Sequence, residues 1–156
     1  MSDLSRLLFL VPAHNERLLV AGCVQSLLDM TYPCRQREIV VIADNCSDDT
    51  AVVAERAGAT VWRRDDPVRR GKSQAIEWAV NRVKLSDWDA VVIVDADSTV
   101  EATFGSELSA FAPLGNSIVQ ANFGSSNEFE TWLTRLSGVL ARIRYEISYP
   151  RKQRRG

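Results

Sequence analysis

Short apolar runs alternate along this chain with segments of helical periodicity, and no other feature limits its fold as much. Each run is continuously apolar rather than alternating with polar residues, which is typical of strands in a sheet covered on both faces. We interpret five runs as strands: residues 7–11, 39–42, 60–62, 90–94 and 117–121.

Apolar side chains recur at helical spacing between these runs. One stripe follows Asn15, a candidate helix cap, another follows Gly71, and a further helix is expected to end at Gly58. The stripes are Val20, Cys23, Val24 and Leu27, then Ala75, Ile76, Ala79, Val80 and Val83; Ser47, Asp48 and Asp49 are expected to cap the helix that ends at Gly58. The order βαβαβαβ, with right-handed crossovers, predicts an α/β fold: a doubly wound, mostly parallel sheet with helices on both faces.

Composition is that of an ordinary globular domain. The 156 residues carry a net charge of -1, which argues against a general nucleic-acid or membrane-surface binder. No apolar run approaches the roughly 20 residues that span a bilayer. The three cysteines have no metal-ligand spacing, so we expect reduced, buried thiols in a cytoplasmic protein.

The C-terminal part differs in character. Residues 128–149 carry a broad apolar face at helical spacing, Pro150 ends the pattern, and residues 151–156 are basic. We therefore expect an α/β domain at 1–127, and an amphipathic helix with a tail at 128–156. The tail fits either a solvated end or a contact with phosphate or lipid headgroups.

Polar residues follow three of the predicted strands, at 12–16, 43–49 and 95–98. In open α/β sheets, ligands bind outside the carboxyl ends of the strands, so these segments are the candidate site. Asp95 and Asp97, separated by one small residue, can share Mg²⁺ or Mn²⁺, although acidic residues at strand ends also cap helices.

Other polar residues leave alternatives open. Asp44 can accept a hydrogen bond from a base or ribose, or it can form an Asx-turn, while Asp48 and Asp49 fit a helix cap better. His14 is either a packed or stacked ring or a ligand contact. Residues 69–73 place cations and a glycine at a helix start, which favours an anion, and residues 63–66 are expected to form a solvated turn.

Together these segments resemble glycosyltransferase family 2, the nucleotide-sugar enzymes with the GT-A fold. The resemblance covers about residues 7–122 and rests on four motifs in order, at 11–16, 40–51, 70–72 and 95–97. It departs from the commonest pattern at Ala43, Asn45 and Cys46, where Asp, Gly and Ser are frequent. Ala43 removes one possible carboxylate contact to the base, and Asp44 keeps the main one.

The resemblance implies a role for each matching residue. Lys72 would lie near the ribose or diphosphate, Asp95 near the ribose and metal, and Asp97 on a Mg²⁺ or Mn²⁺ ion. Pro12, Ala13, Asn15 and Glu16 would line the nucleoside pocket, with Asp44 on the base, expected to be uracil.

The implied reaction is metal-assisted transfer of a sugar from a nucleoside diphosphate, expected to be a UDP-sugar, to a saccharide or lipid-linked hydroxyl. No nucleic-acid partner is expected. The general base is not identified in this sequence. We expect the chain to stop after the donor half of a longer protein, whose missing part could bring it to the cytoplasmic face of a membrane.

Two alternatives remain. Residues 91–99 also resemble the nucleophile strand of haloacid-dehalogenase-type phosphatases, in which Asp95 would be phosphorylated. That strand normally opens its domain, whereas here three βα units precede it. The other alternative is a nucleotide-binding fragment without catalytic activity.

Overall fold

The computed structural model describes residues 4–114 and Ala121, which alternate between strands and helices. Residues 1–116 form the first of two compact units, and every element named here belongs to it. In chain order the elements are β1 (Leu7–Ala13), α1 (Val20–Leu28), β2 (Arg37–Asp44), α2 (Thr50–Ala57), β3 (Thr60–Arg64), α3 (Lys72–Val80), β4 (Ala90–Ile93) and α4 (Phe104–Ser109).

The four strands of this unit form one parallel sheet in the order β3-β2-β1-β4. The chain moves outward from β1 through β2 to β3, then returns across the sheet to add β4 on the other side of β1. This reversal makes the sheet doubly wound. The predicted α/β class, parallel sheet and strand order along the chain are confirmed.

Helices cover both faces, as predicted. Leu7, Phe9 and Val11 of β1 pack against α1, α2 and α4, whereas Leu8 and Leu10 face α3. All five side chains are at most 2% exposed. A strand in the middle of a sheet covered on both faces must be apolar at successive positions, which explains the continuous run.

Some local predictions are wrong. Asn15 does not cap α1, because the helix begins at Val20 with Leu19 at its N-cap, and Glu16 accepts the first backbone bonds of the turn. Helix α3 ends at Val80, so Val83 packs from beyond it. The run at 117–121, apart from Ala121, the helix at 128–149, the boundary at 127 and the basic tail all lie outside the described residues and stay predictions.

The cysteines differ in environment. Cys23 is buried in the core, Cys46 is partly buried, and Cys34 is exposed, so the expectation of a buried thiol is wrong for Cys34, which lies in a single 3-10 turn. All three are free thiols. Within residues 4–114, no helix combines the length and apolar content that crossing a membrane requires.

The space around two helical glycines differs, so we expect the same substitution to have opposite effects on stability at the two positions. A Cβ added at Gly105 would lie 2.8 Å from Cγ of Tyr32, whereas one at Gly22 would meet nothing within 4 Å. Tyr32 is buried and its hydroxyl donates to the Ser5 carbonyl, so its ring cannot easily move. We expect G105A to lower the free energy of unfolding by about 1–3 kcal/mol through overpacking. G22A should raise it by up to about 1 kcal/mol through helix propensity.

Urea denaturation followed by circular dichroism checks both variants against the unmodified chain. Equal stability of G105A and G22A would contradict the packing of α4 on Tyr32.

Candidate functional site

The reversal of strand order brings the carboxyl ends of β1 and β4 side by side, and a cleft of about 460 Å³ opens there. It is bordered by the loops that follow β1, β2 and β4 and by the N-terminal end of α3. The lining residues are Pro12, Ala13, His14, Glu16, Asp44, Asn45, Arg70, Gly71, Lys72, Ala75, Asp95, Ala96 and Asp97. The three polar segments of the sequence therefore meet in one place.

The loop after β1 is fixed by bonds to the loop after β2. His14 Nδ1 lies 2.7 Å from the Asp44 carbonyl oxygen, and because a carbonyl only accepts, the imidazole carries its proton on Nδ1 and donates. Asn15 adopts a left-handed φ of 56°, and its Oδ1 accepts from the Ser47 N–H at 2.8 Å. Asn15 thus faces the β2 loop and does not line the cleft.

Helix α2 begins under the same two loops. Thr50 is fully buried, and its Oγ1 accepts from the Glu16 N–H at 2.8 Å and donates to the Asp48 carboxylate. Asp48 Oδ1 also accepts from the Thr50 N–H at 2.9 Å, so Asp48 rather than Asp49 bonds at the helix start. These bonds, the Thr50 hydroxyl first, lower the pKa of the Asp48 carboxyl.

Asp44 ends β2 and is buried, although it is one of the residues that line the cleft. Its Oδ1 receives hydrogen bonds from Arg64 Nη1 at 2.5 Å and from Asn45 Nδ2 at 2.9 Å. Arg64 is itself only 4% exposed and ends β3, so the prediction of a solvated turn at 63–66 is wrong for residues 63 and 64, which continue the strand. β3 extends two residues beyond its apolar run, where Arg63 and Arg64 pair with Ala43 and Asp44 of β2.

The N-terminal end of α3 and the residues before it form the cationic wall of the cleft. Gly71 precedes the helix with a φ of 105°, a backbone conformation that side chains disfavour, and its carbonyl accepts from the N–H groups of Gln74 and Ala75. Arg70 and Lys72 line the cleft, whereas Arg69 turns away to Gln74 and Glu77. Cations and a helix N-terminus on one wall favour an anion there.

The loop after β4 supplies two carboxylates. Ala96 is buried, which leaves Asp95 and Asp97 exposed on either side of it, and Asp95 is ion-paired with Lys72. Cys23 lies beneath this loop, with its Sγ 3.5 Å from the Asp95 carbonyl. Burial, followed by the charges of Asp97 and Asp95, raises the pKa of the Cys23 thiol to about 11, so this thiol stays protonated near neutral pH.

The donors at this loop match a hard divalent cation. Among residues 4–114, no group of three or more His, Cys, Asp or Glu side chains could by itself hold a metal. Mg²⁺ commonly takes only one or two protein carboxylates and completes its shell with phosphate oxygens and water. Asp95 and Asp97 therefore fit a cation that arrives with a diphosphate.

Every residue that the sequence nominated, except Asn15, lines the cleft. His14, Arg70 and Gly71 also line it and were visible as motif neighbours. Asn45 and Ala96 lie within the predicted segments 43–49 and 95–98, although no role was assigned to either, and Ala75 was not foreseen as a lining residue. Arg64 gave no such signal, because its buried partner Asp44 lies twenty positions away in sequence.

Comparisons with known proteins agree with this geometry. Residues 5–153 match the family model described as glycosyltransferase-like family 2. An N-acetylglucosaminyltransferase from Rhizobium leguminosarum bv. viciae is 30% identical over 131 residues, which are 81% of this chain and 30% of that protein. The chain spans 25–30% of the length of the first curated relatives it matches.

Solved structures share the fold. A mannosyltransferase from Pyrobaculum calidifontis in complex with GDP-Man and Mn²⁺ is 24% identical, with a TM-score of 0.60 over 71% of this chain and 33% of that one. Glucosyl-3-phosphoglycerate synthase from Mycobacterium tuberculosis, with Mn²⁺, UDP-glucose and phosphoglyceric acid, is 24% identical with a TM-score of 0.58, over 72% of this chain and 41% of that one. These likenesses confirm the GT-A-type fold.

The loop that leads to α3 should lose part of its stabilisation in acid. Asp66 Oδ1 accepts from the N–H groups of Arg69 and Val68, and these bonds, Arg69 first, lower the pKa of the Asp66 carboxyl below its ordinary value of 3.8. A lowered pKa stabilises the folded state above the unfolded pKa, and this stabilisation is lost as pH falls through the folded pKa. We expect D66N to remove this contribution.

The measurement is the free energy of unfolding of both chains between pH 6 and about pH 3. The difference in free energy of unfolding between the unmodified chain and D66N should decrease as pH falls below 3.8. A gap that stays constant across this range would contradict the role given to the carboxylate.

Proposed function

The chain belongs to glycosyltransferase-like family 2, and from that membership we propose that residues 4–114 bind the nucleotide-sugar donor of a sugar-transferring enzyme. The observation that carries the proposal is the cleft beside β1 and β4, where Asp44, Lys72, Asp95 and Asp97 converge. One wall holds cations at a helix N-terminus and the opposite loop holds paired carboxylates. A nucleoside diphosphate with a divalent cation presents the complementary charges.

Each part of the donor has a counterpart in the cleft. Pro12, Ala13 and Glu16 line the nucleoside end, and Asp44 can accept a hydrogen bond from an N–H group of the base. Asn15 does not line the cleft; it supports the loops at the nucleoside end by accepting a hydrogen bond from the Ser47 N–H. Arg70 and Lys72 face the diphosphate. Uracil is the proposed base because the family resemblance implies it, and its N3–H can donate a hydrogen bond to the Asp44 carboxylate.

A Mg²⁺ or Mn²⁺ ion on Asp95 and Asp97 would neutralise charge on the departing nucleoside diphosphate. Lys72 adds a second positive charge on the same side, where its ammonium can move from Asp95 to a phosphate oxygen. Arg70 and the N-terminus of α3 hold the phosphates in one orientation, which aligns the sugar for attack by an acceptor hydroxyl. The proposed acceptor is a saccharide or lipid-linked alcohol.

The two structural neighbours support a nucleotide-sugar donor because one was solved with GDP-Man and the other with UDP-glucose. The family match also favours this function over a haloacid-dehalogenase-type phosphatase. Trapping of phosphate on Asp95 would reverse that preference.

Removing one metal carboxylate tests the proposal. We expect D97N to abolish the Mn²⁺-dependent part of UDP binding, because the amide lacks the negative charge that the carboxylate contributes to holding the cation. The measurement is calorimetric titration of the chain with UDP, GDP and dTDP, with Mn²⁺ and with chelator. D87N is the matched control, since Asp87 pairs with Lys84 outside the cleft.

Equal UDP affinity with and without Mn²⁺ in the unmodified chain would contradict the metal assignment. Absence of binding to every nucleotide would contradict the function. Turnover of a UDP-sugar, followed as release of UDP, separates an active enzyme from a binding fragment.

Lys72 should contribute to diphosphate affinity. We expect K72M to weaken UDP binding roughly tenfold, the size of one charge-assisted hydrogen bond. Lys84 offers the control K84M, because it is also an exposed lysine in an ion pair but lies outside the cleft. Equal losses in the two variants would show a general charge effect and remove Lys72 from the site.

A further inference from the structure

Arg64 connects three segments of the chain without lining the cleft. Its side chain is 3% exposed. Nη1 donates to Asp44 Oδ1 at 2.5 Å, and Nη2 donates to Asp66 Oδ2 at 2.9 Å and to the Arg69 carbonyl at 2.6 Å. These acceptors belong to the end of β2, the loop after β3, and the residue that precedes Arg70.

Asn45 joins the same network. Its Nδ2 donates to Asp44 Oδ1 at 2.9 Å, and its Oδ1 accepts from the Asp66 N–H at 2.8 Å. Its own N–H donates to the Arg64 carbonyl at 2.7 Å. With a left-handed φ of 50°, Asn45 turns the chain so that backbone and side chain both reach β3 and its loop. The network therefore ties Asp44 to the loop that leads into α3.

One donor of this network is left over. Arg64 Nε is buried and has no hydrogen-bond partner among the described residues. An unsatisfied buried donor costs free energy, and such groups call for an explanation. The guanidinium is planar and rigid. Because its two Nη atoms donate to Asp44, Asp66 and the Arg69 carbonyl, the direction of the Nε–H is fixed as well.

Arg64 sits beside a second hollow of about 370 Å³, which shares Asn45 and Arg70 with the cleft. The guanidinium thus lies behind the cleft wall, where it touches Asp44 and the backbone of Arg69 but not the cleft itself. A residue in this place acts on a ligand only through its neighbours.

We propose that Arg64 is a positioning residue for the donor: it sets the orientation of Asp44 at the base end of the cleft and the position of the 69–72 turn at its phosphate end. This inference rests on the proposed function, and it adds a residue that determines base selectivity. Lysine cannot replace Arg64, because one ammonium lacks the planar fork that reaches acceptors on three segments.

Base discrimination is the measurement that separates positioning from stability. Uracil offers an N3–H to a carboxylate, whereas cytosine offers a lone pair at that ring position, so a well-oriented Asp44 favours UDP over CDP. In calorimetry with Mn²⁺, we expect R64K to weaken UDP binding and to reduce the UDP/CDP affinity ratio, each roughly tenfold. Arg63 provides the control R63K, since it lies next in sequence but pairs with Glu55 on the exposed surface.

A double-mutant cycle with D44N then tests whether Arg64 affects base selectivity through Asp44. If Arg64 acts through Asp44, R64K leaves the UDP/CDP ratio of D44N unchanged. The inference is overturned if R64K retains the ratio of the unmodified chain, or if it changes the ratio equally in the D44N background. Thermal melting of each variant with and without UDP verifies that the chains compared are folded.

Failure of the proposed function is visible before any variant is made, because the unmodified chain would then bind no UDP, and the inference would fall with it. Failure of the inference alone appears as UDP binding in the unmodified chain with an unchanged UDP/CDP ratio in R64K.

Discussion

The reversal of strand order beside β1 is the constraint on which the site depends. With β2 on one side, β4 on the other and helices on both faces, β1 is enclosed, and its side chains from Leu7 to Val11 are at most 2% exposed. Polar side chains that can contact a ligand are therefore found only at the end of the strand and in the loop that follows it. Because β1 and β4 belong to crossovers of opposite direction, their following loops separate and leave the cleft between them.

Enclosure also determines the electrostatics of the cleft. Asp44, Asp95 and Asp97 all line the cleft at the sheet edge, and two of these carboxylates are paired with cations. Arg64 meets Asp44 from behind the wall, and Lys72 meets Asp95 from across the cleft. The positive residues thus come from β3 and α3, which are separate from the acidic loops in sequence but adjacent in the fold.

The sequence predicted those parts that depend on local patterns. Continuous apolar runs located all four strands of the described unit, and Gly58 ended α2 as expected. Arg64 was misassigned because a charged residue next to Arg63, Asp65 and Asp66 resembles a surface turn. Its burial arises from pairing with Asp44, twenty positions away, which no local pattern contains. Asn15 failed as a cap for a similar reason, since its amide bonds to Ser47 across loops.

The two ion pairs at the cleft differ in burial, and therefore in how easily a ligand could separate the partners. Arg64 and Asp44 are almost fully buried, so removing Arg64 would leave the Asp44 carboxylate in the interior without a paired cation. Lys72 and Asp95 are about half exposed, and such a pair is worth only about 0–1 kcal/mol. Under the proposed function, Lys72 would leave Asp95 when a cation binds the carboxylate and a phosphate oxygen accepts from the ammonium. In that proposal, the buried pair of Arg64 and Asp44 keeps the shape of the base end of the cleft, and the exposed pair of Lys72 and Asp95 separates when the diphosphate binds.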